Sequence, residues 1–349
     1  MRISDLDFKV SQSLIPKYPE SERDNSRLMV VDRKKGTIEH KVFKDFVSYL
    51  EEGDCVVANN SKVSPWFVYA SKDKVEMQIE VTLMRELNAD LHMWDAKVEP
   101  ARKIRVGNKL YFGSGDLIAE VLDNTTSRGR TLKFAFQGTS EELKNVLEYI
   151  GYMPIPAELK RKPEDLDREY CSSVFATHSG GSVVPASGLH FSQSTLKRLE
   201  INDVDYTSLT LHIGLEVLEE IDVEDASKYK VDSECISVSN DASARINTAL
   251  EKGKRVCAIG TSSLRAIEAA VNGFGKSCAM NGWINTFIHS NGQIKLSNML
   301  LTNFYLPKTI PLVNAAAFMN STELFVEAYQ EAIKERYRFF IYGDAMLII

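Results

Sequence analysis

Residues 66 to about 147 constrain the fold more than any other stretch of this chain. Val75-Glu76-Met77-Gln78-Ile79-Glu80-Val81-Thr82-Leu83 alternates apolar and polar side chains, the period of a half-buried strand. Residues 109–112, 117–122 and 131–136 read as further strands, with turns at Gly113-Ser114-Gly115-Asp116 and Asp123-Asn124-Thr125-Thr126. Short strands at regular spacing, with no helical stretch, predict a small barrel or sandwich. Residues 1–65 and 148–349 mix strand and helix patterns, so the β-rich stretch reads as an insertion. The expected architecture is mixed α/β (α+β): a large, discontinuous α/β domain at 1–65 plus 148–349, with a small all-β barrel at 66–147 inserted into it.

In the larger part, 28–31 and 55–58 are short buried-strand runs, and Asn59-Asn60-Ser61-Lys62 breaks the second with turn-forming side chains. A short helix is predicted over 192–199. Asp241 is the expected N-cap of a helix that Gly253 ends. Leu324, Phe325, Ala328, Tyr329 and Ala332 give 322–337 a helical stripe. Residues 209–213, 256–259 and 338–342 read as strands.

At 349 residues the chain is long enough for about two domains. It lacks an apolar run of about 18 residues, and Met1-Arg2-Ile3-Ser4-Asp5-Leu6-Asp7 has no apolar core of a secretory signal. Five cysteines without a Cys-x-x-Cys pair argue against a disulfide framework or zinc knuckle. A cytoplasmic protein is expected. The net charge of -6 does not favour nucleic acid over the whole surface, so RNA binding would need a local basic face. Lys160-Arg161-Lys162, Arg102-Lys103 with Arg105, and Lys252, Lys254 and Arg255 are the candidates; each also reads as plain solvated surface.

The chemistry-bearing residues come in short clusters. Pro185-Ala186-Ser187-Gly188-Leu189-His190 packs a hydroxyl, a glycine and an imidazole into an apolar setting. Thr210-Leu211-His212-Ile213-Gly214 holds a second imidazole. His190 and His212 are either hydrogen-bonded core residues or proton carriers, and their spacing does not suit a metal. At 256–268 a buried strand ends at Gly260, and Thr261, Ser262 and Ser263 open a helix with Arg265 one turn in. This is either a plain N-cap with a surface arginine or a cradle for a carboxylate or phosphate. It carries neither a Walker loop nor a dinucleotide fingerprint. Asp344, in Tyr342-Gly343-Asp344-Ala345-Met346, is either a turn aspartate bonded to backbone N–H groups or a partner for a ligand's ammonium or hydroxyls.

Together these segments resemble the S-adenosylmethionine:tRNA ribosyltransferase-isomerases of queuosine biosynthesis. The resemblance runs from Met1-Arg2-Ile3-Ser4-Asp5-Leu6-Asp7-Phe8 through Arg23-Asp24, Ser26-Arg27-Leu28, Asn59-Asn60-Ser61-Lys62-Val63 and the clusters above to Gly343-Asp344-Ala345-Met346. It implies a large α/β domain with an inserted β-barrel. It also implies transfer of the ribosyl part of S-adenosylmethionine onto 7-aminomethyl-7-deazaguanine in the tRNA anticodon loop. Adenine and methionine leave, and the ribose rearranges to give epoxyqueuosine. S-adenosylmethionine is consumed as a co-substrate, no other cofactor or metal is expected, and the chain is expected to act as a monomer.

On that resemblance, the sulfonium acidifies the neighbouring C5′ position and a base, His190 or His212, removes its proton. The 260–265 turn, with Gly260, Thr261, Ser262 and Arg265, is expected to hold the methionine carboxylate, and Asp344 the ammonium. Asn303 is expected at a base or ribose edge with Phe304 or Tyr305 as an aromatic wall. Asn60, Ser187 and Gly188 complete the binding set. The anticodon loop offers unpaired bases, the part of RNA that proteins read.

The chain departs from the family pattern in places. Tyr229-Lys230-Val231-Asp232-Ser233-Glu234 stands where His-x-Met-His-Ser-Glu is usual, and Tyr305 stands for a histidine. Gly214 is followed by Leu215-Glu216-Val217-Leu218 rather than Gly-x-Gly-Thr-Phe after the histidine, and Pro65-Trp66-Phe67 replaces Pro-Ala-Arg. Two other readings therefore stand beside the first: a non-catalytic tRNA-binding relative of the same fold, and another S-adenosylmethionine-dependent RNA-modifying enzyme such as a methyltransferase.

Overall fold

The computed structural model describes residues 1–72, 75–115, 117–126 and 128–349; Asp116, read as part of a turn, lies outside them. The chain divides into two compact units, Val63–Pro156 with Arg161–Glu169, and Met1–Lys62 with Ala157–Lys160 and Tyr170–Ile349.

The first of these is a barrel. Its strands Phe67–Lys72, Val75–Asn88, Met93–Glu99, Lys109–Phe112, Leu117–Asn124 and Gly129–Ala135 close on themselves. The period-2 pattern sends Ile79, Val81, Leu83, Trp94, Ala96, Val98, Leu110, Phe112, Ala119, Val121, Leu132 and Phe134 into one core. The reading of 66–147 as free of helix is corrected. Ser140–Ile150 is an α-helix, started by a reciprocal bond pair between Thr139 and Glu142, and it adds Leu143 and Leu147 to the barrel core. Arg161 is not a surface cation, since its guanidinium forms a buried ion pair with Asp167. Arg102, Lys103 and Arg105 are exposed.

The other unit holds a nine-stranded mixed sheet. Four neighbouring strands, Asp205–Leu211, Cys55–Asn59, Val256–Ile259 and Met299–Asn303, run parallel. Beyond them Ala345–Ile348 lies antiparallel to Met299–Asn303 and parallel to Arg27–Asp32, which pairs with Thr37–Val42 at one edge. Glu234–Val238 and Met280–Ile284 complete the other edge. Three of the four parallel strands, Cys55–Asn59, Val256–Ile259 and Met299–Asn303, are buried along their whole length and mostly apolar, as strands covered on both sides must be, whereas Asp205–Leu211 is buried only over its last three residues. Val56, Ala58, Cys257, Ile259, Met299 and Leu301 take turns facing one core with Phe43, Phe46, Phe191 and Leu199.

Several local expectations shift. Ser192 caps helix Gln193–Ile201 by accepting from the Thr195 amide, so this helix starts as predicted. The cap of helix Asn240–Glu251 is Ser239, not Asp241; Asp241 instead ion-pairs with Arg245 one turn on. The stripe at 322–337 ends as a helix at Lys334, where the Tyr337 amide folds back to the Ala332 carbonyl. Residues 338–342 are not a strand. They form a tight turn with Phe340 at φ 76°, and the strand lies three residues later, at Ala345–Ile348. Asn59 ends its strand, but Ser61 and Lys62 open a further short strand paired with His178–Gly181 rather than a turn.

Candidate active site

The four parallel strands share one direction, so their carboxyl ends lie along one edge of the sheet. Open α/β sheets bind ligands outside that edge. Asn59, His212, Gly260 and Asn303 stand at or just past those four ends. One polar side chain or turn from each strand is thereby delivered to the same place.

The central element is the start of helix Thr261–Ala269. Gly260 takes φ 87°, a conformation that glycine accepts without strain, and this swings the chain from strand to helix. The amides of Thr261, Ser262 and Ser263 have no intrahelical acceptor and carry the positive end of the helix dipole. The first two border an open recess lined by Val184, Pro185, Ile213, Leu218, Tyr305 and Pro311, with Thr261, Ser262 and Arg265 among its polar groups.

Arg265 is 1% exposed, so the surface arginine is excluded. Its Nη2 pairs with Glu234 and its Nε donates to the Thr286 carbonyl at 2.7 Å. Nη1 makes no hydrogen bond among the described residues. Glu234 accepts from the Gly214 amide at 3.0 Å with its other oxygen.

Two relays run from this helix start, the first reached by packing and continued by hydrogen bonds, the second made of hydrogen bonds throughout. In the first, Gly260 packs against Ser187, whose Oγ donates to Asn303 Oδ1 at 3.1 Å. Asn303 Nδ2 faces the carbonyls of Phe340 and Ile341, at 3.1 and 3.4 Å, which fixes the orientation of the amide. Oδ1 can then only accept, so His190 donates from Nε2 (3.2 Å) and its Nδ1 accepts from Ser26 Oγ (2.8 Å). His190 is buried on Phe43, and burial lowers its pKa to about 4 against the help of the Asn303 bond. In the second relay, Asn59 Nδ2 donates to Ser262 Oγ (3.1 Å) and to the Leu211 carbonyl, while its Oδ1 accepts from the amides of Ser61 and Leu211. Ser61 Oγ shares a 2.9 Å hydrogen bond with His212 Nδ1. His212 is half-buried; its pKa is lowered by burial and then by His178, and its Nε2 has no hydrogen-bond partner among the described residues.

The expected residues thus fall into groups. Gly260, Thr261, Ser262, Arg265 and Tyr305 line the recess, and Ser187 touches its Gly260 edge. His190 and Asn303 stand behind Ser187, and His212 is reached through Asn59 and Ser61. Gly188 packs against Ser173 and Phe175, away from the recess lining. Asn60 is held by Thr210 and Ser208, at 2.7 and 3.1 Å, as a lock on the neighbouring strand. Phe304 is no wall of the recess: it is fully buried among Tyr329, Tyr337 and Phe339. Asp344 resolves to the turn aspartate. It accepts from the amides of Arg27 and Arg338 and pairs with the Arg338 guanidinium, which leaves it no role toward an ammonium. Tyr229 stacks edge-on against Phe287 and Asp232 is exposed; neither lines the recess. Asn59, Ser26, Ser61 and Glu234 were not among the expected site residues. All four sat in quoted motifs, but nothing in the spacing of the first three marks a partner over a hundred residues away, or in that of Glu234 one 31 residues away.

The His190 environment gives a pH prediction. Its folded-state pKa lies below the ordinary 6.5, so below that pH the unfolded chain binds a proton that the folded chain refuses. Stability contributed by neutral His190 is present above pH 6.5 and is lost as pH falls toward 4, by roughly 3 kcal/mol in all. Urea titrations at pH 7 and 4.5 should show this loss in the wild type and a much smaller one in His190→Gln. Equal losses in the two proteins would mean that His190 is not held neutral.

A nine-stranded mixed sheet whose central parallel strands bring a helix N-terminus, a buried arginine and a half-buried imidazole to their carboxyl ends has the layout of an α/β enzyme with a site suited to a small anionic or zwitterionic ligand. Similarity to known proteins narrows this. The family model described as "Queuosine biosynthesis protein" matches residues 3–348, and the chain belongs to that family. It is 53% identical over 349 residues to an S-adenosylmethionine:tRNA ribosyltransferase-isomerase of Amoebophilus asiaticus and 47% identical to that of Cytophaga hutchinsonii, covering all of each chain. It also resembles the crystal structure of S-adenosylmethionine tRNA ribosyltransferase from Thermotoga maritima. That match has 29% identity and a TM-score of 0.56, and it covers 99% of this chain and 100% of the other.

Proposed function

We propose that this chain is an S-adenosylmethionine:tRNA ribosyltransferase-isomerase. In this reading it moves the ribosyl part of S-adenosylmethionine onto 7-aminomethyl-7-deazaguanine at the wobble position of tRNA and rearranges it to epoxyqueuosine. Adenine and methionine are released, and no further cofactor takes part. The protein acts as a cytoplasmic monomer. The observation that carries this reading is the convergence of the two relays on the 260–262 turn, beside a recess with one arginine.

Within it, the methionine carboxylate takes the first-turn amides and Arg265 Nη1, an arrangement of charge-assisted donors suited to an anion. Tyr305 and the aliphatic wall cover the apolar part of the nucleoside. Of the two imidazoles, His212 is the better base for the C5′ proton. Its Nε2 is unclaimed and Ser61 orients the ring, whereas both nitrogens of His190 are engaged. His190 holds Asn303, and through it Ser187. The positive sulfonium beside the site favours loss of the proton to a neutral imidazole.

The test is to incubate the protein with labelled S-adenosylmethionine and tRNA bearing the 7-aminomethyl base. Adenine release with a ribose-derived mass gain is the expected result. Binding without turnover would favour a non-catalytic relative, and a methyl-sized mass gain a methyltransferase. His212→Ala should lower the rate about a hundredfold or more with little change in S-adenosylmethionine affinity, as for loss of a general base. Undiminished turnover in that variant would remove His212 from the mechanism.

A further inference from the structure

Glu234 closes the segment 229–234, in which Tyr229 and Asp232 stand for the usual histidines but Ser233 and Glu234 keep the pattern, and it joins two parts of the recess lining. One carboxylate oxygen accepts from the Gly214 amide, the residue between Ile213 and the 215–218 turn that line one side. The other pairs with Arg265 Nη2, on the helix whose first turn also lines the recess. Glu234 is 6% exposed and Arg265 1%, so the pair is shielded from solvent. The Thr286 carbonyl takes Nε. With two of its three nitrogens held by fixed acceptors, the guanidinium has one orientation, and that orientation leaves Nη1 for the recess.

We propose that Glu234 is a positioning residue for substrate, acting through Arg265: it sets the direction of the guanidinium and the separation of the two recess walls. This rests on the reading of the recess as the S-adenosylmethionine site. It also accounts for a pairing of opposite charges in a place meant for an anion. The carboxylate offsets the cost of burying the arginine in the empty site, and the remaining donor and the helix amides supply the attraction. An amide in place of the carboxylate would keep an acceptor for Gly214 but turn a donor toward a donor at Arg265.

The experiment is a double-mutant cycle read by equilibrium dialysis of labelled S-adenosylmethionine on the full chain, without tRNA. Glu234→Gln should weaken binding about tenfold, the worth of one misplaced charge-assisted bond. In an Arg265→Gln background the same change should alter affinity by less than about twofold, because its route of action is already gone. An equal weakening in both backgrounds overturns the proposal. Should Glu234→Gln fail to fold by circular dichroism, Glu234→Asp keeps the charge but is too short to reach Gly214 and Arg265 together. It should raise KM for S-adenosylmethionine and leave KM for tRNA unchanged, and a wild-type KM for both overturns the proposal. A wild-type protein that binds S-adenosylmethionine but never releases adenine contradicts the enzymatic reading and leaves the cycle readable.

Discussion

Replacing Arg265 with alanine should abolish adenine release and also lower stability by about 3–5 kcal/mol, because it leaves a buried carboxylate without its cation. The sequence alone suggests a milder outcome. An arginine one turn into a helix that begins at the end of a strand is usually solvated, and its loss would then cost under about 1 kcal/mol. Burial reverses that expectation. Glu234 keeps the Gly214 amide as a partner but loses the Arg265 charge, and the Thr286 carbonyl loses a donor as well. Denaturant melts of wild type and Arg265→Ala measure the difference directly. A loss below about 1 kcal/mol would mean that water enters and rescues the carboxylate, and that the site is more open than its packing indicates. The Glu234→Gln, Arg265→Gln double variant should be more stable than either single variant, since it leaves no isolated charge.

Asn303 should be nearly as sensitive, for a different reason. Its amide satisfies four groups at once: the Ser187 hydroxyl, His190 Nε2, and the carbonyls of Phe340 and Ile341. Those carbonyls belong to the strained turn in which Phe340 holds φ 76°. Asn303→Ala strands these groups in the interior, where each unmet bond costs about 1–3 kcal/mol. We expect a total loss of about 3–4 kcal/mol after relaxation, with turnover falling at least tenfold as Ser187 loses its anchor. Asn303→Asp separates geometry from charge. The carboxylate still accepts from His190 but repels the turn carbonyls, and its charge favours the imidazolium. The His190 titration should therefore move up from about 4, which an NMR titration of the ring protons reads directly. A titration left in place would remove the bond between these two side chains from the account.

The barrel was legible because alternation is a local signal. Ile79, Val81 and Leu83 announce their common face within five residues. The strand at Val256–Ile259 and the helix opening after Gly260 were legible for the same reason, through an apolar run followed by a glycine and small hydroxyls. The turn at 338–344 was not. Arg338-Phe339-Phe340-Ile341-Tyr342 has the composition of a strand, and only contacts with distant Asn303 and Leu14 decide otherwise. The cap at Ser239 was hidden by Asp241, since both side chains are good caps and only backbone direction chooses between them. For the site, the clusters named the right neighbourhoods but assigned roles by chemical type. A buried aspartate can serve a turn or a ligand with the same letters around it, and Asp344 proved to be committed to Arg27 and Arg338. Conversely, Asn59 and Glu234 matter through partners 203 and 31 residues away, which no local pattern encodes.

The strand Ala345–Ile348 lies between Met299–Asn303 and Arg27–Asp32. Residues 27–42 are synthesised more than 300 residues before their inner neighbour in the sheet. Until then the apolar strand Arg27–Asp32 waits with an open edge, the kind of surface that invites chaperones or aggregation during synthesis. Closing so distant a pairing is a slow step in assembly.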